Sequence, residues 1–319
     1  MLQLMQQYIP GFTGKPVSYR NYHAYQTMEH LYVIIPARTE QDSYYELAAI
    51  TAYMQENGFP RIAQPLITTE GQIITVYENT PYLVVEMPPP YPLRLGAHGA
   101  ELAAFHELGA ACPFAPDTLS SYGMWSELWT ARLAQGEKLY AEIYQKRPLT
   151  HGERFFLDTF PYVMGRSELA IQYVNETNGE FRFTEADQAA TVFMKYQSEL
   201  KETYVLPHQI IYDHPARDLA EYTRVAFGKE EEGDIKEFLP AYMQARPLSV
   251  FGMRLLYARL VMPLHIFDQM EQGLTGTAGA AYETLVMQQH MYEQRLAGLF
   301  QYMQVDTRSL EIPVLENYL

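Results

Sequence analysis

One stretch of this chain, residues 210–222, combines the signals of a buried strand, a tight turn and a helix. Residues 210–212 are two isoleucines and a tyrosine, a β-branched and aromatic run that predicts a short buried strand. In Asp213-His214-Pro215 the aspartate can hydrogen-bond its own backbone, and the proline disfavours helical backbone for the residue before it, which predicts a turn. Asp218 then stands where a helix N-cap belongs, with apolar residues following at helical spacing. The stretch therefore predicts a strand–turn–helix hinge.

Residues 213–220 read Asp-His-Pro-Ala-Arg-Asp-Leu-Ala and resemble the segment that follows the metal-binding aspartate in aminoglycoside- and choline-kinase-like phosphotransferases. Residues 160–165 (FPYVMG) and 168–173 (ELAIQY) are similar to the CotS-like spore coat branch of that superfamily, and the resemblance extends over nearly the whole chain. It implies an α+β fold of the bilobal protein-kinase type, with a small β-rich N-terminal lobe and a larger helical C-terminal lobe. It also implies that the second aspartate of the motif caps a buried helix and braces the catalytic loop. The matching motif residues are Asp213, Pro215, Arg217 and Asp218.

The pattern along the chain divides it into a β-rich lobe, residues 1–88, and a helical lobe, residues 89–319. The predicted strands of the first lobe are 17–25, 31–37, 61–67, 72–77 and 82–86, with one helix at 42–57. Pro88-Pro89-Pro90 interrupts regular structure and is predicted to be the hinge between the lobes. Beyond it the chain is predicted to be helical at 124–144, 151–173, 253–272 and 280–303. Residues 99–109 resemble the helix that follows the hinge in phosphotransferases, which implies a further helix there. Pro161 predicts a kink or break near Thr159, and residues 180–200 have no regular pattern.

Composition limits the classes of function. A hydrophobic content of 48% is enough for a sizeable core, and a formal net charge of −15 argues against nucleic acid or an anionic membrane as partner. Cys112 is the only cysteine, so an internal disulfide cannot form and a reducing compartment is expected. The sequence has neither a signal-peptide pattern nor an apolar run of transmembrane length. These features predict a cytoplasmic protein without membrane insertion, and the resemblance implies the mother-cell cytoplasm and then the spore coat.

Phosphoryl transfer in a kinase-like fold needs a strand lysine, a helix glutamate that holds it, a catalytic-loop aspartate and asparagine, and a metal-binding aspartate. The lysine is expected near Ile34 or Ile35, in a strand that contains no lysine, so Glu46 has no evident partner and is predicted to be a solvated helix residue. Arg38 follows that strand, but arginine does not replace lysine at a compact phosphate clamp. The matching catalytic stretch, residues 189–196, contains no acid, histidine or asparagine. The metal-binding aspartate is expected roughly eight residues before Asp213, where residues 204–207 contain no carboxylate.

The sequence is therefore interpreted as a non-catalytic, kinase-like spore coat protein that acts by binding other coat proteins and needs no cofactor. The 26 tyrosines offer contact surface for such an assembly. No catalytic or metal-binding residue is predicted. The candidates for lining a cleft between the lobes are Ile35, Glu46, Glu86, His106, Lys195 and Asp213.

Two alternatives stay open. The first is a small-molecule phosphotransferase that uses ATP and Mg²⁺, with Asp213 as metal ligand and Glu180, Glu185 or Asp187 as base. The second is a protein that holds a nucleotide or a sugar without turnover. Other chemistries have weaker support: His208 and His214 flank a turn without a metal-ligand motif, and residues 273–279 are glycine-rich but lack a following Lys-Ser/Thr. The sequence also lacks a Gly-x-Ser-x-Gly elbow for a serine nucleophile.

Overall fold

The computed structural model describes residues 1–38, 41–87, 98–180, 183–229, 232–303 and 305. The chain divides into two compact units: Met1–Ser121 with Ala189–Asp213, and Tyr122–Gln188 with His214–Leu319. The hinge predicted at residues 88–90 lies outside the described residues, so the lobe boundary at residue 88 stays a prediction.

The first unit is built on a sheet of six strands in the order β1-β2-β3-β6-β4, with β5 also paired to β6, all antiparallel. Its strands are β1 (Lys15–Tyr19), β2 (Tyr22–Gln26), β3 (Leu31–Pro36), β4 (Gln64–Pro65), β5 (Ile74–Tyr77) and β6 (Thr80–Met87). Residues 17–25, predicted as a single strand, are the hairpin β1–β2, because Arg20 adopts a left-handed backbone (φ 53°) at the turn. Helix α2 (Asp42–Glu56) confirms the predicted helix at 42–57.

Both faces of this sheet are covered, as the alternation of side chains along a strand allows. Ile34 points into a cluster with α1 (Leu2–Tyr8), a helix that sequence reasoning missed. Ile35 points into a second cluster that includes Ala48 of α2. Uninterrupted apolar runs such as 33–35 in β3 therefore reflect burial on both sides.

The remainder of the first unit is α3 (His98–Ala110) and a two-stranded sheet of β7 (Ala190–Phe193) and β8 (Ile210–Asp213). Gly109 permits the close approach of α3 to β7, because a Cβ at this position would lie 2.6 Å from the Thr191 nitrogen. Strand β8 confirms the strand of the predicted hinge, whereas β7 falls in the stretch for which no regular structure was predicted.

The second unit is helical, with α4 (Trp125–Gln145), α5 (His151–Gly179), α6 (Ala216–Lys229), α7 (Glu232–Ala245), α8 (Val250–Val261), α9 (Leu264–Glu271) and α10 (Gly276–Tyr302). Helix α8 is buried nearly all round and packs against α5 and α6. The predicted helix at 253–272 is two helices, because Pro263 ends α8 and begins α9. The predicted break near Thr159 is absent, since α5 continues as helix through Pro161. Among the described residues, no helix is long and apolar enough by itself to cross a membrane, although the bent pair α8–α9 meets the criteria of length and composition.

Candidate functional site

Asp213, predicted to begin the turn, is the last residue of strand β8, and its side chain is fully buried. Its Oδ2 accepts a hydrogen bond of 2.7 Å from the Ser121 hydroxyl, and the Ser121 N–H donates to the Tyr212 carbonyl at 2.9 Å. A buried carboxylate needs such partners because it has given up its hydration. These two hydrogen bonds hold Ser121 against the end of β8.

His214, the next residue, begins the second unit and caps helix α6. Its Nδ1 accepts a hydrogen bond of 3.0 Å from the Ala216 N–H, so the ring proton is assigned to Nε2, which lies 3.5 Å from Asp187 Oδ1. Because α6 begins at Ala216, Asp218 lies inside its first turn. The prediction of Asp218 as N-cap is therefore wrong, and the imidazole takes the place expected for a carboxylate.

Asp187, a candidate base, is 1% exposed and has both oxygens hydrogen-bonded. Oδ1 accepts a bond of 2.5 Å from the Ser249 hydroxyl, and Oδ2 accepts bonds from the Thr184 N–H (2.7 Å) and hydroxyl (3.0 Å). Burial by itself raises the pKa of Asp187, but the bonds from His214 and Ser249 outweigh it and hold that pKa below its ordinary value of 3.8. Ser249 also caps α8 by accepting from the Gly252 N–H at 3.0 Å. Asp187 is thus the centre of a buried network that joins three chain segments.

Glu46, predicted to be solvated, instead binds the backbone of residues 117–119. Its carboxylate accepts hydrogen bonds from the N–H groups of Asp117 (2.9 Å), Thr118 (3.1 Å) and Leu119 (2.9 Å) and from the Thr118 hydroxyl (2.7 Å). Burial by itself raises the pKa of this carboxyl. The hydrogen bonds from Thr118 and the backbone have the larger effect, so the pKa lies below its ordinary value of 4.5. The prediction of a solvated glutamate is therefore wrong. The Glu46 carboxylate binds the N–H groups of residues 117–119, and no lysine is needed as its partner.

The two positions near which a phosphate-clamping lysine was expected, Ile34 and Ile35, face opposite sides of the sheet, and the chain itself fills both sides. Ile35 belongs to the buried cluster that also contains Tyr204 and Leu206, both from the connection between β7 and β8. Leu206 is 0% and Tyr204 8% exposed. Tyr19 of β1 contacts the Tyr204 ring edge-on, with centroids 6.3 Å apart.

Backbone hydrogen bonds hold this connection, residues 194–209, against the sheet region. The Ala63 N–H donates to the Val205 carbonyl at 2.8 Å, and the Val205 N–H donates to the Arg61 carbonyl at 3.1 Å. The bridge between Ile62 and Val205 is parallel, so the connection extends the sheet region like a short additional strand. Arg20 and Glu202 form an ion pair on the surface.

The other candidate residues have ordinary surroundings. Glu86 in β6 accepts from the Tyr32 hydroxyl at 2.9 Å, His106 is 0% exposed inside α3, and Lys195 is exposed. Arg217 and Pro215 lie in and just before the first turn of α6. Of the alternative bases, Glu180 pairs with Arg254 at 2.5 Å and Glu185 is exposed.

The two histidines predicted as a weak metal candidate lie in different units. Burial and then repulsion by Arg20 lower the pKa of His208 to about 4, and its Nε2 lies 3.3 Å from the Tyr22 hydroxyl. The described residues contain no group of three or more His, Cys, Asp or Glu that could hold a metal ion.

Sequence reasoning missed Tyr204, Leu206, Thr184 and Ser249. Thr184 and Asp187 form a capping box whose Thr-x-x-Asp spacing is readable in the sequence. The apolar run at 204–206 also signals burial. Nothing in that run indicates the surface that it covers.

The folds of solved phosphotransferases match nearly the whole chain. An aminoglycoside phosphotransferase from Alicyclobacillus acidocaldarius matches with a TM-score of 0.66 at 14% identity, covering 94% of this chain and 96% of that one. Spectinomycin phosphotransferase, in complex with ADP and spectinomycin, matches with a TM-score of 0.55 at 12% identity over 92% and 94%. The sheet of the first unit and the helices of the second therefore define a kinase-like fold of the aminoglycoside phosphotransferase type.

Within that class the chain belongs to the family described as spore coat putative kinase YutH, whose model matches residues 4–310. The endospore coat-associated protein YutH of Bacillus subtilis (strain 168) is 30% identical over 282 residues, covering 86% of this chain and 81% of the relative.

Proposed function

We propose that this chain is a catalytically inactive, kinase-like component of the spore coat that acts by binding other coat proteins. The relative in Bacillus subtilis is coat-associated by name, and the family description carries the same term. The second part of the proposal is that the protein does not transfer a phosphoryl group. The side chains packed inside the first unit support it.

The observation that carries the proposal is the filling of the Ile35 face by Tyr204 and Leu206. A nucleotide phosphate held there would need a cation and free backbone donors, and this cluster offers apolar and aromatic side chains instead. Exposing a buried tyrosine and a buried leucine to make room would cost several kcal/mol, at about 1.5–3 kcal/mol for each large apolar side chain. Millimolar nucleotide does not supply that much free energy unless its affinity for the opened state is high.

The carboxylates near the expected catalytic stretch support the same proposal. Asp213 is bonded to Ser121, and both oxygens of Asp187 accept hydrogen bonds inside the protein. A metal ligand or a general base needs an oxygen that can reach its ion or substrate. These two carboxylates stabilise their own chain instead.

The alternative is a small-molecule phosphotransferase with ATP and Mg²⁺, because the neighbours in fold have that name. Asp213 would then leave Ser121 to bind the metal ion, and residues 194–209 would leave the sheet. A protein that holds a nucleotide or sugar without turnover would need the same opening.

The experiment is a thermal unfolding series with ATP and Mg²⁺, Mg²⁺ alone, and ADP, together with localisation of a fluorescent fusion in sporulating Bacillus subtilis that lacks its own YutH. A ligand at a hundred times its Kd stabilises a folded protein by about 2.7 kcal/mol, so binding would raise Tm by several degrees. We expect no shift with millimolar nucleotide, and labelling of the spore surface.

Asp213→Asn is the matched variant, since an asparagine oxygen can still accept the Ser121 hydroxyl. We expect it to localise as the wild type does. A magnesium-dependent rise in Tm that Asp213→Asn abolishes would contradict the proposal and favour the phosphotransferase. Absence of the folded fusion from the spore would contradict the coat association.

A further inference from the structure

A pocket of about 380 Å³ lies in the first unit, away from the Ile35 cluster. Its walls are the loop after α2, the side chain of Leu200, and one face of α3 formed by Glu101, Ala104, Phe105 and Leu108. These helix positions recur at steps of three and four, so they form one continuous stripe. Pockets that bind small molecules commonly measure about 300–1,000 Å³, which places this one at the small end of the range.

The pocket has a fixed aromatic wall. Phe105 is 2% exposed and contacts Phe59 edge-on at 5.1 Å between centroids, while its other neighbour, Phe193, stacks at 4.9 Å. Packing on both sides holds the Phe105 ring in place. Leu108 and the Phe59 ring leave apolar surface at the opening, which an apolar ligand body would cover.

The guanidinium of Arg61 is anchored beside this wall. Arg61 Nη1 donates to the carbonyls of Leu200 and Glu202, both at 2.9 Å, and its guanidinium lies 5.2 Å from the Phe59 ring centroid. Those two bonds use the Nη1 protons and leave the Nε and Nη2 donors. Within the part of the chain that the structure describes, no hydrogen bond uses these donors. Burial lowers the pKa of Arg61, and the charge of the nearby Glu101 carboxylate partly offsets this by attracting the guanidinium.

The remaining donors of Arg61 have the geometry that a carboxylate recognises. Nε–H and one Nη2–H are parallel and match the two oxygens of a carboxylate side-on. Glu101 lines the same pocket, and its negative charge disfavours polyanions such as nucleoside triphosphates. The small volume of the pocket excludes large ligands sterically.

We propose that this pocket binds a small organic monocarboxylate with an aromatic or branched apolar body. The carboxylate pairs with Nε and Nη2 of Arg61, and the body packs against Phe59, Phe105 and Leu108. Because Leu200 and the Arg61 bonds belong to the contact between residues 194–209 and the sheet region, the ligand also strengthens that contact.

The test is calorimetric titration and saturation-transfer NMR of the full chain with 3-phenylpropionate, and with its neutral amide as the comparison. We expect the carboxylate to bind at least tenfold more tightly than the amide. Arg61→Gln removes the charge and should weaken carboxylate binding at least tenfold, with little change for the amide. Equal binding of the two probes, or no binding of the carboxylate at millimolar concentration, would overturn the proposal.

Arg61 also holds Leu200 and Glu202, so its variant can lose stability, and a second variant is needed. Ala104 is exposed on α3, and Ala104→Trp places an indole in the opening without removing any hydrogen bond of Arg61. It should abolish binding, whereas Glu107→Trp, an exposed position of the same helix outside the pocket, should leave binding within a factor of two. Undiminished binding to folded Ala104→Trp would place the ligand elsewhere.

Discussion

At the scale of single residues, three carboxylates of the candidate site stabilise the fold. Asp213, Asp187 and Glu46 each accept hydrogen bonds from their own unit, and the first two are almost fully buried. A buried carboxylate that satisfies local donors contributes to stability only while all its partners remain. Each of these residues can therefore be tested by stability alone, without an assay of activity.

Asp187→Ala should lower the free energy of unfolding by about 3–5 kcal/mol, because it leaves His214, Ser249 and Thr184 without their buried acceptor, at about 1–3 kcal/mol for each unpaired donor. Ser249→Ala should cost about 1–2 kcal/mol through the lost cap of α8. The double variant should be less destabilised than the sum, since the two side chains share one bond. Urea denaturation measures all three.

Glu185→Ala is the control for this series, because Glu185 is an exposed acid two positions away and should change stability by less than about 0.5 kcal/mol. If Asp187→Ala were as stable as Glu185→Ala, the carboxylate would not be structural. Asp187 would then again be a candidate for the general base of the alternative phosphotransferase.

Glu46→Gln should reduce stability by about 1–3 kcal/mol at neutral pH, since a charged acceptor of four hydrogen bonds is replaced by a neutral amide. The pKa of Glu46 is lower in the folded chain than its ordinary 4.5, so its stabilisation is present above pH 4.5 and is lost as the pH falls through the folded pKa. The difference in Tm between variant and wild type should therefore shrink below about pH 4.5. Glu56→Gln, exposed in the same helix, should show no such trend.

At the scale of elements, α5 is a long helix that contains a proline at an exposed position. Pro161 has no N–H, so the helix lacks one backbone bond there, yet α5 runs unbroken from His151 to Gly179. The capping box of Thr150 and Glu153 at its start and the packing of α4 and α8 along its length supply the compensation. Tertiary contacts have overridden a local helix breaker.

Pro161→Ala should therefore stabilise the protein by about 1–3 kcal/mol. Alanine in a helix interior is favoured over proline by about 3 kcal/mol. The greater freedom of the unfolded chain offsets about 1 kcal/mol of this gain. Thermal unfolding should show a higher Tm, while Glu168→Ala at another exposed position of α5 should have little effect. A lower Tm for Pro161→Ala would mean that the surrounding helices need the local geometry that proline imposes.

At the scale of the whole molecule, the chain has a kinase-like fold in which the connection between β7 and β8 packs on the sheet region. In this chain residues 194–209 add an edge to the sheet region and fill its Ile35 face. The chain carries a formal net charge of −15, which favours partners with basic surfaces. Both features suit a protein that assembles with other proteins.

Much of this architecture was predictable because it depends on local patterns. The helical patterns of α2, α4 and α10 placed those helices within a few residues, the family resemblance placed α3, and the run at 210–212 placed β8. The missed elements are α1, β7 and α7. The first two are short, and a few residues carry too little periodicity to be recognised. Helix α7 has 14 residues, but Pro240 in its interior is a local signal against a helix. The break expected near Pro161 does not occur because packing outweighs the local rule, and Asp218 is not the N-cap because α6 begins at Ala216.

The sequence by itself determined the class of fold, the family resemblance and the absence of a lysine from β3, since each is a property of consecutive residues. Only the tertiary structure decided that Tyr204 and Leu206 cover Ile35, that Asp187 meets Ser249 and His214, and that Glu46 binds residues 117–119. The physical reason is sequence separation. Burial and hydrogen bonding between distant residues depend on how the elements pack, and packing is a property of the whole chain.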